Sequence, residues 1–207
     1  MKIILQKAGK KFFQEWIFRN LDLELPSMAS LAILGPNGSG KSTLLQLISG
    51  SLIPTEGTVE YINDNGNFEA DEIFSHISFA APYLELTEEF TLTEIIDFHF
   101  RFKKRVNNLS TQEMIGIANL DHAKNKSYKY FSSGMKQRVK LVLAFLSDTG
   151  LILLDEPCSN LDPESIKWYQ QLIEQYSANK TIVVCSNNQT EEFGFCKQQI
   201  NLMDWKK

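Results

Sequence analysis

The chain has 207 residues, 43% of them hydrophobic and 22% charged, which is enough for one globular domain with a sizeable core and excludes a disordered or linker-dominated polypeptide. A net charge of −4 argues against a protein that works by neutralising nucleic-acid phosphates, so no nucleic-acid partner is expected. Three cysteines, Cys158, Cys185 and Cys196, do not make a disulfide framework and point to a reducing compartment. The longest apolar runs, at 141–146, 151–154 and 182–185, fall far short of the roughly 20 residues a spanning helix needs, and the apolar stretch after Met1 is too short for a signal peptide. The expectation is a soluble, cytoplasmic chain.

In chain order, the first sixty residues read as strand-rich, with short apolar or alternating runs at 3–5, 16–18 and 21–25. A buried strand at 31–34 runs into a glycine-rich turn, and a helix is expected over about 42–48. Residues 58–62 alternate and are followed by a turn signal, Asn63-Asp64-Asn65-Gly66. The middle is helical. Residues 91 to about 105 carry Leu92, Ile95, Ile96, Phe98, Phe100 and Phe102, apolar on more than one face. Ser110-Thr111-Gln112-Glu113 fits a capping box for a helix to about 119, and another helix is expected from near Ser133 to about Leu146. A buried strand follows at 151–154. Asp162 then caps a helix with Pro163 at its first position and Ile166, Tyr169, Leu172, Ile173 and Tyr176 at helical spacing. Residues 181–185 form the next strand. Buried strands alternating with helices predict an α/β fold with a mostly parallel sheet. There is no internal repeat, low-complexity tract or linker, so 1–207 reads as one domain.

Gly35-Pro36-Asn37-Gly38-Ser39-Gly40-Lys41-Ser42 matches G-x-x-x-x-G-K-[ST] between a strand and a helix. Glycines let backbone N–H groups turn around phosphate oxygens, and the following helix aims its positive end at the same anion. Lys41 would hold the β- and γ-phosphates, Ser42 would place its hydroxyl on Mg²⁺, and Thr43 extends the loop. Strand 151–154 delivers Asp155 and Glu156 to its C-terminal end, where α/β sheets bind ligands. Successive strand residues point opposite ways, so Asp155 is expected behind Mg²⁺ and Glu156 facing the γ-phosphate, orienting or deprotonating the attacking water.

No Asn-Lys-x-Asp guanine reader occurs, and the four arginines form no lid-like cluster, which sets aside GTPases and small-molecule kinases. Phe131-Ser132-Ser133-Gly134-Met135 opens a helix with a second set of N–H groups, an anion site best used across a dimer. With these motifs the chain, from about 10 to 192, resembles the ATP-binding cassette (ABC) family, the nucleotide-binding subunits of ABC transporters of small exporter-like type. Residues 35–42 look like its Walker A loop, 131–135 like its signature, 151–156 like Walker B, and Ser159-Asn160-Leu161-Asp162 like its D-loop.

The resemblance implies a P-loop NTPase core, an N-terminal antiparallel β subdomain and an inserted α-helical lobe over about 85–130, with core and β subdomain at about 1–84 and 131–207. It implies ATP and Mg²⁺ as ligands, with Phe12 stacking on adenine and Phe13 as the fallback. Two subunits would close head to tail, each ATP lying between one Walker A loop and the other's Ser132, Ser133 and Gly134. A homodimer stands ahead of a heterodimer. The partner would be an integral-membrane transporter subunit, with this chain peripheral on the inner face of the membrane. Aromatics at 83, 90, 98, 100 and 102 are either lobe core or a docking groove for that partner.

Two family residues are missing. Where a glutamine is expected after the strand preceding the lobe, the chain reads Ala80-Ala81-Pro82-Tyr83, with Pro82 in its place. Where a histidine follows strand 181–185, it reads Ser186-Asn187-Asn188. Asn187 can donate a hydrogen bond to a γ-phosphate but cannot become cationic near neutral pH. A working, slower ATPase with Glu156, Lys41 and Asn187 as catalytic groups is the first expectation. The alternatives are a soluble ABC-type ATPase and a degenerate ATP-gated regulatory subunit with little hydrolysis.

Overall fold

The computed structural model describes residues 1–63, 66–67 and 72–206. The chain starts with two long antiparallel strands, β1 (Lys2–Phe12) and β2 (Glu15–Leu25). Next come β3 (Ser30–Leu34) and α1 (Lys41–Ile48), then β4 (Glu56–Asn63) and the two-residue β5 (Gly66–Asn67). The short α2 (Ile73–His76) leads into β6 (Ile77–Ala80). Two helices, α3 (Leu92–His99) and α4 (Thr111–Ile117), with 3-10 turns around them, fill the middle. The remainder alternates: α5 (Ser133–Phe145), β7 (Leu151–Asp155), α6 (Pro163–Tyr176), β8 (Thr181–Ser186), α7 (Thr190–Phe193) and β9 (Gln198–Asn201).

The strands form two sheets. One is antiparallel, in the order β2-β1-β4-β5; the other has five strands in the order β6-β7-β8-β3-β9 and is parallel throughout. Parallel neighbours require crossover connections, which the helices supply. The five residues of β7 are all buried and alternate between two cores. Leu151 and Leu153 pack toward α1 and the antiparallel sheet, whereas Ile152 and Leu154 pack toward α3, α4, α5 and α6. The lobe therefore shares its core with the parallel sheet.

The expected α/β fold, parallel sheet and antiparallel N-terminal sheet are all present. Three expected short strands are two long ones, because register shifts at Leu5/Ala8, Ala8/Lys10 and Lys10/Lys11 interrupt the alternation that sequence reading depends on. The helix expected to reach about residue 105 ends at His99. Arg105 instead pairs with Ser147, and Val106 N–H donates to Leu146 O, so the backbone is drawn out against the end of α5. The capping box at Ser110 and Glu113 forms as expected, and Thr91 and Glu94 form a second. The turn expected at 63–66 falls on residues 64 and 65, outside the described residues.

Leu153 is fully buried behind the strand end that carries Asp155. Leu153→Ala is expected to lower unfolding free energy by about 2–5 kcal/mol, read as a reduced urea midpoint at unchanged slope.

Candidate nucleotide site

Four segments leave the parallel sheet at one edge. In register, Ala80 pairs with Leu154, Asp155 with Cys185, and Leu34 with Ser186. The glycine-rich loop, the turn after β6, the acidic pair and Asn187 therefore all start at the C-terminal edge of the strands, where such sheets bind ligands.

The loop's shape requires its glycines. Gly40 has φ +103, and a Cβ there would come within 2.3 Å of Ile17 Cγ2; Gly35, at φ +152, would press on Ser39 Oγ at 2.8 Å. Ser39 N–H donates to Pro36 O, and α1 starts directly after Gly40. Lys41 is buried, its ammonium donating to Gly35 O at 2.8 Å and Pro36 O at 3.1 Å. An ammonium has three protons, so one remains for an anion inside the loop. Ser39 Oγ is buried without a hydrogen-bond partner.

Asn37, Gly38, Gly40, Lys41, Ser42 and Thr43 line a cavity of about 310 Å³ together with Ile17 and Glu156. Glu156 sits at φ +43, a left-handed conformation that turns it off the strand. Asp155, one residue earlier, is buried. Burial raises its pKa; a Ser42 hydrogen bond, a Tyr83 hydrogen bond and the Lys41 charge oppose the rise, and Glu156 adds to it. The two adjacent acids thus have different surroundings, as their alternation on a strand predicts.

A hard cation fits this end of the sheet. Asp155 Oδ2 is buried and without a hydrogen-bond partner, and the Ser42 hydroxyl is beside it. Among the described residues no group of three or more His, Cys, Asp and Glu could hold an ion. One carboxylate and one hydroxyl suit Mg²⁺ that takes its other ligands from phosphates and water.

Other expected residues lie apart from the cavity. Ser132 caps α5 through Met135 N–H, and Ser132 and Ser133 are exposed. Gly134 faces Asn160 O, which a Cβ would meet at 3.0 Å. Asp162 caps α6, accepting from Ser165 N–H at 2.7 Å, and hydrogen bonds from Ser165 lower its pKa. Phe12 is 44% exposed with Lys10 over its ring, Phe13 is 98% exposed, and Asn187 is exposed. Ile17, which sequence reading did not single out, is the apolar residue that lines the cavity.

Residues 18–159 match the family model described as ABC transporter. The chain is 30% identical over 179 residues to the uncharacterized ABC transporter ATP-binding protein YcbN of Bacillus subtilis, covering 86% of this chain and 58% of YcbN. It is 29% identical to ABC transporter A family member 7 of Dictyostelium discoideum over 92% of this chain and 23% of that protein. It therefore spans little more than half of one relative and a quarter of the other. Among solved structures, an ATP-binding cassette in a dimeric post-hydrolysis state bound to ADP and Pi superposes with a TM-score of 0.81 at 25% identity, over 96% of this chain and 93% of that one.

Glu192 was not foreseen. It sits in a Glu-Glu pair that reads as solvent-facing, and four-residue α7 is too short for periodicity to single out its buried side. Its Oε1 accepts from Cys158 N–H at 3.0 Å, its Oε2 has no hydrogen-bond partner, and Tyr169 OH donates to its carbonyl. Burial raises its pKa from 4.5 to about 7, against hydrogen bonds from Ser186 and Cys158 N–H and with the help of Glu156 and Asp155. Between those values the folded chain holds more protons than the unfolded one, so stability falls as pH rises through about 4.5–7 and levels off above. Glu192→Gln lacks this loss. Its melting temperature should exceed the parent's by roughly 3–8 °C at pH 8, with the gap closing toward pH 5. Parallel melting curves across that range would show that Glu192 keeps an ordinary pKa.

Proposed function

Because the chain belongs to the ABC transporter ATP-binding family, we propose that it binds and hydrolyses ATP and powers a membrane transporter through ATP-driven dimer closure. The observation that carries this reading is that Lys41, Ser42 and Glu156 line one cavity with Asp155 buried behind it. A phosphate chain in the loop would meet the backbone N–H groups, the positive end of α1 and the Lys41 ammonium. When bound, Mg²⁺ supplies charge neutralisation on the phosphates, with Ser42 and Asp155 as its protein ligands. Among the described residues Glu156 is the one carboxylate lining the cavity, and it would take the proton of the attacking water. Asn187 would act as a hydrogen-bond donor to the γ-phosphate and Phe12 as the adenine platform.

A second subunit would supply the exposed Ser132 and Ser133 and the half-buried Gly134, with Asp162 near the same junction. A homodimer is the simpler assembly, and closure shifts a population between open and closed forms. For the membrane partner, a groove of about 270 Å³ lies between α2, α3 and α5, lined by Phe74, Leu86, Phe90, Phe98, Phe102 and Leu143. Phe74, Phe98 and Phe102 are 63%, 45% and 59% exposed, more than a closed core leaves accessible. That favours the docking reading of the lobe aromatics. The chain would then sit on the cytoplasmic face of the membrane through this groove; among the described residues no helix is long and apolar enough to cross a bilayer.

A second reading, ATP-gated closure with little turnover, draws on Pro82 and Asn187, which stand where the resemblance expects glutamine and histidine. Steady-state phosphate release separates the two. The first reading expects Mg²⁺-dependent turnover that Glu156→Gln reduces by roughly 10²–10⁴-fold while ATP-bound dimers accumulate on size exclusion. Equal turnover in Glu156→Gln and the parent would remove Glu156 as the base. Asn187→His should match or exceed the parent rate, since Asn is the weaker partner.

A further inference from the structure

The loop that follows Glu156 is gripped at one peptide. The Gln137 amide of α5 donates to Pro157 O at 2.8 Å, and Cys158 N–H donates to Glu192 Oε1 of α7 at 3.0 Å. Pro157 O and Cys158 N–H are the two poles of a single planar peptide unit. A donor from one helix and an acceptor from another therefore hold the same plane. Gln137 and Glu192 are 3% and 1% exposed, and Pro157 and Cys158 are buried as well. Where water does not reach, both poles need partners. Packing alone does not call for a carboxylate at 192. Its Oε2 is buried without a hydrogen-bond partner, and an apolar side chain would fill the space without that cost.

This grip bears on Glu156. Its φ of +43 is a conformation that a residue with a Cβ rarely holds unless the surrounding chain dictates it. Glu156 N–H donates to Cys185 O at 2.9 Å, and Glu156 O accepts from Ser159 N–H at 3.0 Å. The Pro157 ring fixes its own φ, so the main freedom left in the loop is rotation of the Pro157–Cys158 plane. We propose that Gln137 and Glu192 are positioning residues that lock this peptide from both sides and so set the direction in which Glu156 enters the cavity beside the glycine-rich loop. One belongs to the helix that opens with Ser132 and Ser133, the other to the helix after Asn187. The inference rests on the reading of Glu156 as the group that takes the proton of the attacking water.

The test is steady-state ATP turnover in Mg²⁺, with kcat and KM separated and a melting temperature taken for every variant. Gln137→Glu is isosteric and turns a donor toward Pro157 O into an acceptor, whereas Glu192→Leu removes the acceptor for Cys158 N–H. Each should lower kcat roughly 10- to 100-fold and leave KM for ATP within about twofold, because the glycine-rich loop is untouched. Glu192→Gln keeps an oxygen toward Cys158 N–H and should hold kcat within about threefold of the parent. The two damaging changes combined should cost less than the product of their single losses, since both act on one peptide. Should either fail to fold, Gln137→Met and Glu192→Met remove the same groups with a flexible apolar chain and carry the same expectation. Parent-like kcat in the damaging variants, a loss in Glu192→Gln as deep as in Glu192→Leu, or losses that simply follow the melting temperature would overturn the positioning role while the ATPase reading stands. A parent without Mg²⁺-dependent turnover would overturn both.

Discussion

A carboxylate that water cannot reach organises this protein's ligand edge. β7 lies between β6 and β8, is buried along its whole length, and ends in Asp155. An unpaired charge in such a place costs several kcal/mol, so the surroundings must offset it. They do so from two directions: the Ser42 hydroxyl and Lys41 charge from the glycine-rich loop, and the Tyr83 hydroxyl from the turn after β6. The same strand, one residue later, breaks into a left-handed conformation and turns Glu156 into the cavity. One buried acid and one half-buried acid, adjacent in sequence, thereby acquire separate tasks.

α5 links these parts. Its Gln137 side chain donates to Pro157 O at 2.8 Å, and its Lys140 holds the turn that presents Tyr83. Glu192 fixes the neighbouring Cys158 N–H from the far side of β8. The loop after Glu156 is thus tied to a helix whose first turn contains the exposed Ser132 and Ser133. The turn after β6 also leads directly into Glu85, Leu86 and Thr87, which line the apolar groove. Glu156, the exposed Ser132 and Ser133 and the groove are therefore connected through a few hydrogen bonds and one packed helix. Such short, satisfied connections leave little room for one part to move alone.

The two departures from the family pattern do not have the same standing. Pro82 has no side-chain amide and sits in a turn closed by Leu84 N–H on Ala81 O and held by Lys140. At Asn187 the side chain is exposed on the ligand edge, and only its own amide is available there.

The sequence alone determined whatever depends on local backbone chemistry. The glycine-rich loop was legible because glycines at 35, 38 and 40 are needed for its positive φ angles and close contacts, and because Lys41 and Ser42 follow at fixed spacing. The same holds for the capping box at Ser110, the Asp162-Pro163 helix start, and the alternating exposure of Asp155 and Glu156. Tertiary structure decided the rest. Bulges joined three apparent strands into two, pairing with Ser147 ended α3 early, and contacts between residues far apart in the chain brought Ile17 and Glu192 to the site. An isoleucine in a strand and one glutamate of a pair carry no local signature. Their roles arise only when a parallel sheet gathers distant strand ends along one edge and removes water from the space between them.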